Sequence, residues 1–131
     1  MSDKSTLSRA FNQHLCEFLD DIGRIVPDSS DITTAKTSFE TIKKANPSLL
    51  VKAWQQKVYT PYKDIIDSGN ITFFVEKDYS SDLSSVSNSD NIMKMIDKIR
   101  DPIRNMNDIN KEHCLKYIQN LSKISTAYAS M

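Results

Sequence analysis

Apolar residues recur along this chain every three or four positions, the period of a helix with one buried face. Leu7, Phe11, Leu15, Phe18, Ile22 and Ile25 predict a first helix over 7–26, capped by Ser5 or Thr6 and stopped by Pro27. A turn at Asp28-Ser29-Ser30-Asp31, with Asp31 as cap, leads into a second helix ending near Ala45, with Ile32, Ala35, Phe39 and Ile42 as its stripe. Asn46-Pro47 reads as cap and first position of a third helix running to about Asp67. Its broad apolar face (Leu50, Val51, Trp54, Val58, Tyr62, Ile65) predicts the most buried helix, kinked or divided at Pro61 and ended by Gly69.

The run Ile71-Thr72-Phe73-Phe74-Val75 has strand-like composition, but no second such run exists to pair with it. A short helix capped by Asn70 is the better expectation. Residues 78–91 hold six serines and read as a loop that Leu83 and Val86 pin to the core. A fifth helix from Ser89 or Asp90 carries Ile92, Met95, Ile96, Ile99, Ile103 and Met106 on one face, its phase surviving Asp101-Pro102. Asn107 or Asp108 caps a last helix with Cys114, Tyr117, Ile118, Leu121, Ile124 and Tyr128 on one side and polar residues opposite. The expected architecture is all-α: one compact bundle of five to six helices over 1–131, with a flexible N-terminus at 1–5 and a serine-rich loop at 78–90.

Composition narrows the chemistry. Only Gly23 and Gly69 occur, where average usage predicts roughly nine. Neither a P-loop nor a dinucleotide-binding Gly motif can be assembled from them. The 17 basic and 17 acidic residues cancel and are interspersed, so charge gives no reason to expect nucleic acid. No apolar run approaches the ~20 residues of a membrane helix. The N-terminus leads into an amphipathic segment without a signal-like apolar core, and two distant cysteines make no disulfide framework, so an intracellular site of synthesis is expected.

Candidate chemistry is sparse. His14, Cys16, His113 and Cys114 have a zinc composition without zinc spacing: His14 and Cys16 diverge on one helix, and His113 is rotated from the Cys114 face. The same residues are the only source of a Cys-His nucleophile pair. Glu17, Asp20 and Asp21 read as a solvated helix face, as do Asp64 and Asp67. None of the four glutamates has a histidine three residues on, so a di-metal carboxylate site is not expected. Lys43, Lys44, Lys52 and Lys57 surround Trp54 and Tyr59, a basic and aromatic mixture that a nucleic-acid surface uses, although Trp54 suits the core. Lys94, Lys98, Arg100 and Arg104 are offset by Asp97 and Asp101. Ser87-Asn88-Ser89-Asp90 fits a helix cap better than a phosphorylation site. No catalytic, metal or cofactor residues are assigned.

Several stretches form a familiar set. They are Phe11-Asn12-Gln13-His14 through Phe18-Leu19-Asp20-Asp21, Lys43-Lys44-Ala45-Asn46-Pro47 and Gly69-Asn70-Ile71-Thr72-Phe73-Phe74. Lys77-Asp78-Tyr79-Ser80, Ile99-Arg100-Asp101-Pro102-Ile103-Arg104 with Met106-Asn107-Asp108, and the run from Cys114 to Ser122 continue it. From about Phe11 to Tyr128 the pattern resembles small helical proteins encoded by large nucleocytoplasmic DNA viruses of algae and protists. The resemblance implies a minor structural component of a particle, such as a minor capsid protein, made in host cytoplasm and located in the virion. It carries no catalytic residues. The expectation is therefore a non-enzymatic protein without cofactor that contacts other virion proteins or itself. The candidate contact residues are Tyr59, Tyr62, Phe73, Phe74, Tyr79, Leu83 and Val86. An adaptor for a host or viral regulatory protein, binding through a helix groove, and an accessory nucleic-acid-binding factor are the alternatives.

Overall fold

Asp3, not Ser5 or Thr6, opens the first helix. Its carboxylate accepts the Thr6 N–H at 2.7 Å, which starts α1 at Lys4 and carries it to Ile25. The bond to the charged form holds the Asp3 carboxyl below its usual range. Lys4 and Ser5, expected in a flexible terminus, are thus helical. The computed structural model describes residues 3–77, 83–84, 86 and 89–131. Helix α2 (Ser30–Ala45) is capped by Ser29 rather than Asp31.

The 49–67 segment changes character along its length. It begins as α3 (Leu49–Ala53), widens into a π-helical turn over Trp54–Tyr59, tightens to 3-10 geometry at Thr60–Tyr62 and resumes as α4 (Lys63–Asp67). Pro61 explains the sequence. It has no N–H, and its ring collides with a carbonyl one turn back in a regular helix. The widened turn, in which Thr60 N–H reaches back to Gln55 O, precedes the proline. Pro47 is not the first helical residue. Asn46 Oδ1 accepts the Ser48 N–H at 3.1 Å in a turn that leaves the Pro47 carbonyl aimed at α1. There Ser8 and Asn12 donate to it at 2.9 and 2.8 Å, which is why these two polar residues are buried on α1.

Gly69 ends α4 with φ +89°, a conformation that L side chains rarely adopt. Gly69 N–H donates to Ile66 O and Asn70 N–H to Ile65 O, the bond pair of a Schellman stop. Asn70 then caps α5 (Ile71–Glu76) by accepting Phe73 N–H at 2.9 Å, so the ambiguous segment is a helix. Leu83 is fully buried and Val86 partly so. Helix α6 (Ser89–Arg104) runs through Pro102, and Asn107 caps α7 (Asp108–Ala129). With 49–67 counted once, the described residues form six helices and no strand, an all-α bundle.

Two helix pairs dominate the packing, α2 with α6 and α1 with α7. The predicted stripes of α2 and α6 are buried at every position. Helices α1 and α2 run antiparallel, with Lys36 reaching Asp20 at 2.8 Å. Helices α1 and α7 also run antiparallel: Lys4 lies over Tyr128 at one end and His113 beside Asp21 at the other. Trp54 joins the layers. It meets the edge of Phe11 at 5.9 Å and the ring of Phe74 at 6.0 Å, and its indole N–H donates to Ser122 Oγ at 2.9 Å inside the core. Burial of each such ring contributes about 1.5–3 kcal/mol. Arg100 and Arg104 donate to the carbonyls of Lys77 and Val75, fastening the end of α5 to α6.

Candidate functional site

The residues singled out from sequence for protein contact separate into three groups. Phe74 and Leu83 are core residues, 2% and 0% exposed, and cannot meet a partner in this fold. Tyr59, Tyr62, Phe73 and Val86 are partly buried. The Tyr59 hydroxyl donates to both Asp67 oxygens at 2.9 and 3.0 Å; burial and this carboxylate push its phenol above the ordinary value. Tyr62 packs on Phe73 at 5.1 Å and under the Lys77 ammonium at 5.0 Å. This aromatic set closes the α4–α5 corner on itself. Tyr79 lies outside the described residues, as do Ser87, Asn88 and most of the serine-rich stretch.

Polar chemistry concentrates instead where α1 meets α7. Asp21, expected on a solvated face, has a carboxylate only 16% exposed. It accepts the Tyr117 hydroxyl, pairs with Arg24 one turn on, and lies 3.3 Å from His113 Nε2. Tyr117 stacks on Phe18 at 5.0 Å, and the rings of His14 and His113 lie 4.8 and 5.3 Å from it. Burial, then the negative charge of Glu17, raises the Tyr117 phenol above its ordinary range. Residues 92 and 96 positions apart meet here, a distance no local pattern reveals. The apolar side of the last helix does place Tyr117 inward, but nothing in the sequence pairs it with Asp21.

The zinc-like composition is divided. The two histidines flank Tyr117, Cys16 is partly exposed on the other side of α1, and Cys114 is buried with its thiol donating to Met106 Sδ at 3.6 Å. Burial pushes the Cys114 thiol up to about 11. Among the described residues no three His, Cys, Asp or Glu side chains converge as metal ligands. The basic clusters are divided as well. Trp54 is buried and cannot stack on a base, while Arg100 and Arg104 pair with Asp97, Glu76 and Asp101. Among the described residues no helix is long and apolar enough to cross a membrane.

Beside the Asp21 cluster an open groove of about 340 Å³ is lined by Arg24, Ile25, Asn110 and His113, with Ile109 on its rim. Ile109 is 79% exposed, and only Met131 joins it among exposed large hydrophobics of the described residues. It was missed because it falls off the α7 stripe, in the first turn after the Asn107 cap. That position was also its signal: an isoleucine between Asp108 and Asn110 has no core to face. Comparison with family models, with curated proteins and with solved structures returned no match.

Proposed function

We propose that this chain is a non-enzymatic structural protein that works by protein–protein contact. On the resemblance to small helical proteins of large DNA viruses, its setting is a virion, as a minor capsid component. The observation that carries the contact reading is Ile109. Ile109, 79% exposed, and the partly buried Ile25 line one groove, and a partner covering both would remove their apolar surface from water. Arg24 and His113 at the same groove supply polar groups for its margin. The Asp21 cluster supports this reading by fixing the ends of α1 and α7 relative to each other, so the groove is presented on two tied helices.

Quantitative proteomics of particles purified from the infected host tests the virion setting. The expected result is co-purification at a constant ratio to the major capsid protein through successive gradients. Loss of the chain during purification contradicts it, and a stable non-capsid partner recovered from infected cells turns the reading toward an adaptor.

A further inference from the structure

We draw no further inference here: the strongest candidate, the side-chain cluster where α1 meets α7, in which His14 and His113 flank Tyr117 beside Asp21, belongs to the Ile109 groove already described, and nothing in the structure shows a ligand or a second arrangement that its groups would serve.

Discussion

The two principal helix pairs of this bundle are built differently. The α2–α6 pair is apolar throughout its seam, with Ile32, Ala35, Phe39 and Ile42 buried on one side and Ile92, Met95, Ile96, Ile99 and Ile103 on the other. Its charged contact, Lys98 to Asp31 at 3.5 Å, stands at the rim. The α1–α7 pair combines an apolar seam with buried or half-buried polar groups: the Asp21, Tyr117 and His113 cluster at one end, and Ser122 and Ser125 along α7. A dry seam is held by area and tolerates no loss of volume. A seam with directional bonds fixes how its helices sit and exposes chemistry at its ends. The groove that we assign to a partner lies at one end of this second seam, lined from both of its helices.

The difference should appear first in stability. Phe39→Ala leaves a cavity in the dry seam and is expected to cost about 3–5 kcal/mol in urea unfolding, with a loss under 1.5 kcal/mol contradicting the packing described. Asp21→Ala removes a charged acceptor from Tyr117, Arg24 and His113 without opening comparable volume. A loss of about 1–3 kcal/mol is expected. The double variant with Tyr117→Phe should lose less than the two single losses added, because each single change already breaks the shared bond.

Alkaline pH separates the folded thiol from the unfolded one. Burial raises the Cys114 thiol to about 11, while an unfolded cysteine titrates near 8.5. Above the unfolded value the unfolded chain has released this proton and the folded chain retains it. Stability from this group is therefore full below about 8.5 and falls as pH climbs toward 11. Cys114→Ala should be less stable than the natural chain at neutral pH, by about 1 kcal/mol, and the gap should close and then reverse across that alkaline window. A constant gap from pH 7 to 11 contradicts the buried thiol. The smallest effect is expected at the proposed contact: Ile109→Asp should change folding stability by no more than about 0.5 kcal/mol, because its side chain touches no core.

The same contrast explains what the sequence revealed. Where burial depends on area, period is enough, and the α2 and α6 stripes were legible residue by residue. Where burial depends on a bond, the partner is remote. Ser8 and Asn12 are buried by a carbonyl 39 and 35 positions away, and Ser125 is buried with its hydroxyl donating to Gln55 Oε1, 70 positions away. Asp21 read as solvated for the same reason. Among the candidate contact residues, Phe74 and Leu83 are core and Phe73 packs on Tyr62, whereas Ile109, which no periodic stripe includes, is exposed. Local rules did carry the short α5, because Asn70 and Gly69 define a stop and a start within three residues.

Position 109 carries the proposed contact. A photo-crosslinking amino acid placed there, in particles assembled with the altered chain, should yield a defined product with a capsid protein, while the same group at the exposed Lys123 on the outer face of α7 yields none. Equal labelling from both positions, or no product from 109 in particles that contain the chain, contradicts the assignment of this face as the contact surface.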